Sequence, residues 1–226
     1  MIAPETGRYW DREGTTKTFT HPLNLDWLRR NFPPEGRILD YGCGYGRLMA
    51  QLHAEGFQNL VGVDASEGML AKARSLHPHL SFQRVDPPTL PFASDSFDAV
   101  LLFAVLTCIP GDDDQQALVD ELCRVVRSGG FLYISDYWLQ TDERNRERYA
   151  RAASQPHTYG VFDVSPGVAV RHHRPEWIAA LLSRWQRIAL ADIQVTTMNG
   201  NAAAGFQWFG RKPARPATGE KLRRAT

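Results

Sequence analysis

The stretch Arg37 to Arg47 reads RILDYGCGYGR, a short apolar run that ends in Asp40 and then breaks into glycines at positions 42, 44 and 46. Ile38 and Leu39 suit a buried strand, and glycine at alternate positions removes the β-carbons that would hold a ligand off the backbone. The helix expected next, from about Gly46 to His53, turns its free N-terminal N–H groups and positive dipole end toward the same place. A polar nucleoside can lie close against such a turn. The spacing is D-x-G-x-G-x-G rather than the dinucleotide fingerprint G-x-G-x-x-G. Pyrophosphate is repelled by a neighbouring carboxylate, whereas a ligand with a positive centre tolerates Asp40.

Working outward, Leu60 to Asp64 (LVGVD) reads as a second buried strand. Its acid lies about 20 residues beyond the glycine loop, where a carboxylate can accept both hydroxyls of a ribose. Ser66 is the expected N-cap of the next helix, with Met69, Leu70 and Ala73 on its apolar face. Leu80 to Val85 alternates like a third strand. Ala99 to Leu106 (AVLLFAVL) is continuously apolar, as a central parallel strand should be. Asp112 to Asp114 open a helix that Arg127-Ser128-Gly129-Gly130 stops before a fifth strand, Phe131 to Ser135. Strands at Tyr159 to Val164 and Val168 to His173 flank Ser165-Pro166-Gly167 as a hairpin. A last long helix is expected over Trp177 to Trp185. Ile188 to Thr197 and Phe206 to Arg211 then form a closing antiparallel pair joined through Asn199-Gly200-Asn201.

This pattern resembles the class I S-adenosylmethionine-dependent methyltransferases. The glycine motif, Asp64, Asp86, the run Leu90-Pro91-Phe92 with Phe97-Asp98, and VVRSGG before the fifth strand all match, with Ser128 where proline is usual. S-Adenosylmethionine carries an ammonium and a sulfonium, in keeping with Asp40. The resemblance implies a doubly wound α/β, Rossmann-like fold with a seven-stranded, mostly parallel sheet in the order 3-2-1-4-5-7-6, the seventh strand antiparallel, and a small cap or lid. It implies S-adenosyl-L-methionine as cofactor and S-adenosyl-L-homocysteine as product. By its motifs Asp40, Gly42, Cys43, Gly44 and Gly46 lie beside the methionine part, Asp64 holds the ribose, and Ala65 and Met69 flank the adenine. Asp86 accepts from the adenine amino group, with Pro87 beside it. Phe103 and Ala104 face the crevice because ligands sit outside the carboxyl ends of parallel strands. Cys43 is read as a small residue that fits the loop rather than a nucleophile. No Asn-Pro-Pro-Tyr motif follows the fourth strand, and Asp86-Pro87-Pro88 follows the wrong strand to replace it.

A chain of 226 residues suits one domain with additions. The segment 1–34 reads as an N-terminal cap, 35–211 as the methyltransferase domain with a lid or substrate insertion over 136–175, and 212–226 as a flexible basic tail. No apolar run approaches the roughly 20 residues of a membrane span. The N-terminus lacks the pattern of a secretory signal, and Cys43, Cys108 and Cys123 lack metal-ligand spacing. A cytoplasmic protein with no metal, no membrane and no nucleic-acid partner is expected, and a formal net charge of +1 gives no general attraction to nucleic acid.

The expected reaction moves the methyl group to an oxygen or nitrogen of a small-molecule acceptor by in-line displacement, which asks the protein mainly to align the acceptor and exclude water. A base is needed only if the acceptor keeps its proton. His21, His172, His173, Asp136 and Tyr159 are the candidates. Strand alternation puts His172 and His173 on opposite faces, so one of them at most enters a pocket. Lys17, Phe19 and His21 occupy a loop that can close over the site. The alternatives are a sensor that binds S-adenosylmethionine without turnover, a protein or RNA methyltransferase, and a nicotinamide oxidoreductase. The oligomeric state is not legible in the sequence.

Overall fold

A computed structural model of the chain describes residues 4–152 and 159–214. The apolar run before the glycines forms β1, Ile38–Tyr41, buried at all four positions. The next three strands are β2, Leu60–Asp64, β3, Ser81–Arg84, and β4, Phe97–Phe103. β5 is Val126–Tyr137, β6 and β7 are Val161–Ser165 and Val168–Arg171, and β8 and β9 are Gln186–Thr196 and Ala202–Arg211. Seven of them form one sheet in the order β3-β2-β1-β4-β5-β9-β8, and β6 with β7 forms a separate hairpin. The first five pair in parallel, while β9 runs antiparallel to both β5 and β8. Setting aside the inserted hairpin, this is the order and the single reversed strand that the resemblance implies.

The helices are α1, Pro4–Arg12, α2, Leu25–Asn31, α3, Arg47–Ala54, α4, Glu67–Leu76, α5, Asp112–Val125, α6, Glu143–Ala152, and α7, Pro175–Leu181. Alternation along the strands sends side chains to two cores. Leu39, Val100, Leu132 and Ile134 pack with Leu118 and Leu122 of α5 and Ile178 of α7. Ile38, Leu101, Phe131 and Tyr133 pack with Leu28 of α2 and Leu48 and Leu52 of α3. Each fully buried leucine of this kind contributes about 1.5–3 kcal/mol. The strand order reverses between β1 and β4, so their carboxyl ends open a crevice there.

Several boundaries differ from the sequence reading. α1 was not foreseen. β4 stops at Phe103 rather than Leu106 because Ala104 adopts φ +54. β5 begins at Val126, directly after α5, and α7 ends at Leu181, four residues short of Trp185. Residues 215–226 of the expected flexible tail lie outside the described residues, but its first residue is held: Lys212 Nζ donates to the Asp95 carboxylate at 2.9 Å and the Cys123 carbonyl at 2.7 Å.

Candidate functional site

The glycine loop leaves β1 with Gly42, Gly44 and Gly46 all left-handed, at φ +72, +55 and +80. The Gly42 and Cys43 N–H groups donate to the Val63 carbonyl at 2.8 and 3.0 Å, which folds the loop back over β2. A Cβ on Gly42 would lie 2.4 Å from Val105 Cγ2, so the position requires glycine for space as well as for backbone freedom. Asp64, at the end of β2, accepts the Gly44 N–H through Oδ2 and the Ser66 N–H through Oδ1, each at 2.9 Å. Burial raises its pKa, and those N–H groups pull the other way. Ser66 caps α4 by accepting the Met69 N–H at 3.1 Å.

These residues line a cavity enclosing about 1030 Å³, its open mouth included. Asp40 faces it at 2% exposure, and its Oδ2 has no hydrogen-bond partner among the described residues. Burial pushes Asp40 up to about 7, Arg47 pulls it down and Asp64 adds to the rise. Arg47 also lines the cavity and donates from Nη2 to the His21 carbonyl at 2.7 Å, tying the N-terminal loop to the start of α3. Ala65, Met69, Pro87, Phe103 and Ala104 border the same cavity, as do Cys43 and Gly44. Burial raises the Cys43 thiol well above its usual range, which keeps it protonated. Gly46 does not border the cavity; it forms the N-cap of α3. Asp86 also lies outside the lining, with its side chain 85% exposed and 3.0 Å from the Arg84 guanidinium.

The catalytic candidates are dispersed. His21 is buried, with Nδ1 2.8 Å from Ser135 Oγ and its ring edge-on to Tyr137. Asp136 is fully buried and accepts the N–H groups of Thr107 and Tyr137 at 3.1 and 2.8 Å. His173 accepts from the Gln115 amide at 3.0 Å, while its Nδ1–H donates to the Tyr137 carbonyl at 3.2 Å, so its ring is used to dock the insertion on β5 and α5. Tyr159 is 39% exposed with the Arg174 guanidinium over its ring. None of these four borders either of the two cavities described here.

His172 does. It borders a second cavity of about 730 Å³, mouth included, walled by α6, the β6–β7 hairpin and the β8–β9 connection. The two cavities share Trp10, Phe19, Ala104 and Cys108 as common wall. Tyr149, at 1% exposure, accepts the Gln140 N–H at 3.1 Å, and His172 Nδ1 lies 2.6 Å from its oxygen. The phenol proton must go to an acceptor when buried, and among the described residues Nδ1 is the acceptor within reach. His172 therefore carries its own proton on Nε2 and presents a donor. Burial lowers its pKa to about 4, so the ring is neutral at pH 7.

The sequence reading did not name Trp10, Arg47, Arg144, Arg148 or Asn199 as site residues, although it placed Arg144 and Arg148 on a charged helix of the lid. Arg47 adjoins the glycine motif and was the one within reach of it. The other four become neighbours only when distant segments meet.

A family model described as a methyltransferase domain matches residues 39–134. The ubiquinone biosynthesis O-methyltransferase of Aromatoleum aromaticum is 35% identical over 151 residues, 63% of this chain and 60% of that protein. An O-methyltransferase of Aspergillus nomiae is 31% identical over 153 residues, 63% of this chain and 67% of that protein. The chain belongs to the class I S-adenosylmethionine-dependent methyltransferases. The mouse eEF1A lysine and N-terminal methyltransferase is 33% identical over 119 residues, 48% of this chain and 17% of that protein. For the fold, a SAM-dependent methyltransferase of Methanosarcina mazei superposes with a TM-score of 0.79 at 21% identity, covering 86% of this chain and 99% of that one.

S-Adenosyl-L-methionine is the cofactor of this methyltransferase family, and the residues fit it. Asp40 Oδ2 is a buried acceptor without a partner among the described residues, the site an ammonium needs. The Asp64 oxygens each receive one N–H and keep lone pairs for a ribose diol. Met69, Val63 and Phe103 supply an apolar flank. Among the described residues no group of three or more His, Cys, Asp or Glu could hold a metal ion, and no helix is long and apolar enough to cross a membrane.

Proposed function

We propose that this methyltransferase transfers a methyl group to an oxygen or nitrogen of a small-molecule acceptor held in the second cavity. The observation that carries the reading is the wall of Trp10, Phe19, Ala104 and Cys108 common to both cavities, which sets an acceptor beside the cofactor pocket. When bound, S-adenosylmethionine supplies an electrophilic methyl group whose bond to sulfur breaks as the acceptor lone pair bonds to carbon, leaving S-adenosylhomocysteine.

The chain's part is to bind, align and dry. Asp40 and Asp64 hold the two polar ends of the cofactor, and the glycine loop allows it against the backbone. Trp10 of α1 and Phe19 close the cavities from outside, excluding water from the displacement. His172, as a donor at Nε2, orients the acceptor rather than removing its proton. The acceptor's proton, where it has one, leaves to solvent.

A polypeptide acceptor is the second reading, favoured by the name of the mouse relative. The depth of the second cavity, whose walls include the buried Phe162 and His172, favours a small molecule. Cytoplasmic location is part of the same proposal. The test is incubation with methyl-labelled S-adenosylmethionine and fractionated bacterial extract. Label in small molecules supports the reading, label in protein or RNA moves the second reading ahead, and tight cofactor binding with no transfer from any fraction favours a sensor.

A further inference from the structure

The two cavities differ in charge. The cofactor pocket is lined by Asp40 and Asp64 beside Arg47. The second cavity is lined by Arg144 and Arg148 and by no aspartate or glutamate among the described residues. The two arginines stand four apart on α6, one turn from each other on one face. Arg148 lies over the Phe162 ring, 4.9 Å from its centre, and its Nη1 is 3.5 Å from the Asn145 side-chain oxygen. The acids nearest in sequence, Asp142, Glu143 and Glu147, do not border the cavity; Asp142 accepts the Asn145 side-chain N–H at 2.6 Å and its backbone N–H at 3.2 Å, and these bonds together with the charge of Arg144 hold its carboxyl below the usual range. Among the described residues neither arginine makes a close ion pair, although Arg144 feels the charge of Asp142. Lys17 adds a third positive charge at the rim, 3.4 Å from the Asn199 side-chain oxygen. His172 contributes an N–H donor and no acceptor at its free nitrogen. Phe162, Val164, Val170 and Met198 form an apolar side of the wall, and the neutral polar Gln140, Asn145, Asn199 and Asn201 line it elsewhere.

We propose that the second cavity takes a small organic anion, with its carboxylate or phosphate held between Arg144, Arg148 and the Nε2–H of His172, and its apolar or aromatic body against Phe162, Val164, Val170 and Met198. This rests on the reading of that cavity as the acceptor site. Planar guanidinium groups match carboxylate and phosphate oxygens, and the apolar side formed by Phe162, Val164, Val170 and Met198 suits the body of such an anion. A neutral compound of the same shape would offer no charge to the half-buried Arg148 guanidinium, which among the described residues has only the Phe162 ring and the Asn145 oxygen beside it.

The experiment titrates three probes by calorimetry into the full-length protein saturated with S-adenosylhomocysteine: 4-hydroxybenzoate, phenyl phosphate and the neutral 4-hydroxybenzyl alcohol. At least one anion is expected to bind about tenfold or more tightly than the alcohol, a margin typical of a charge-assisted hydrogen bond. Arg148→Gln and Arg144→Gln should each remove most of that margin and leave the alcohol and S-adenosylhomocysteine affinities unchanged. Arg148→Lys should restore part of it, which a merely structural role for the side chain would not do. The stronger of the two anions identifies the head group as carboxylate or phosphate. Equal affinity for the alcohol, no binding of either anion, or an anion preference that survives both glutamine variants overturns the proposal while the methyltransferase reading stands. Failure of S-adenosylhomocysteine itself to bind overturns both.

Discussion

Asp64 Oδ2 accepts the Gly44 N–H at 2.9 Å, so the carboxylate that ends β2 also holds the glycine loop that follows β1. One residue thus shapes the loop and faces the cavity. Asp64→Ala removes the acceptor of two backbone N–H groups and of the ribose together, and should weaken S-adenosylhomocysteine binding by about 1–3 kcal/mol. Calorimetry checks it, and unchanged affinity would take Asp64 out of the site.

Asp40 links cofactor binding to pH. Its folded pKa is raised to about 7 from 3.8. A raised carboxyl contributes stability at low pH that is lost as pH rises from 3.8 through 7, because the folded protein must then bury a charge. An ammonium beside Asp40 favours the ionised form, so binding below pH 7 releases a proton. Affinity should therefore fall as pH drops from 7 to 5.5 and level off about one pH unit above 7. Asp40→Asn should raise the melting temperature of the ligand-free protein at pH 8 while weakening cofactor binding. A variant with lower melting temperature and unchanged binding would contradict this role.

Gly42 is constrained twice, by φ +72 and by Val105 Cγ2 2.4 Å from where its Cβ would stand. Gly42→Ala should cost about 1–3 kcal/mol from backbone strain alone, with a further loss from the contact. Pairing it with Val105→Ala should recover the contact part and not the strain. Thermal unfolding of the two variants separates the terms, and equal melting temperatures would mean that the contact is relieved elsewhere.

Asp11 ties the N-terminal helix to the site. Its Oδ1 accepts the Ser66 hydroxyl at 2.7 Å and the Gly68 N–H at 3.1 Å, so α1 completes the cap of α4 from outside. Asp11→Ala should lose about 0.5–2 kcal/mol, the usual worth of a cap. Hydrogen exchange should quicken in residues 4–12, and S-adenosylhomocysteine should dissociate faster because Trp10 leaves the wall. Unchanged exchange in that segment would show that α1 is held by other contacts.

The cofactor half of the molecule was legible because its chemistry is written in short local runs. Asp40 with Gly42, Gly44 and Gly46, then Asp64, then the apolar run of β4, each occupies a few consecutive residues at a strand end. Asp86 read the same way, yet its side chain turns to solvent beside Arg84, a direction that strand alternation at the end of a short edge strand does not settle. α1 was missed because its sequence is mostly polar and its anchor, Asp11 to Ser66, spans 55 residues. For the second cavity the sequence reading named the contributing segments, the N-terminal cap and the 136–175 insertion, but not most of the residues. Trp10 and Phe19, Arg144 and Arg148, Phe162 and His172, and Asn199 come from four separate stretches, and only packing brings them together. His172 borders a cavity and His173 does not, as expected, although β7 ends at Arg171 and strand alternation is therefore not what separates them.

The two cavities meet at Trp10, Phe19, Ala104 and Cys108, and a crystal structure of the protein with S-adenosylhomocysteine would show whether the cofactor faces that meeting point. The expected density places the ribose on Asp64 and the amino group at Asp40, with the sulfur turned toward the shared wall and the second cavity beyond it. A sulfur turned away from that wall, or the ligand bound outside the glycine loop, would contradict the account.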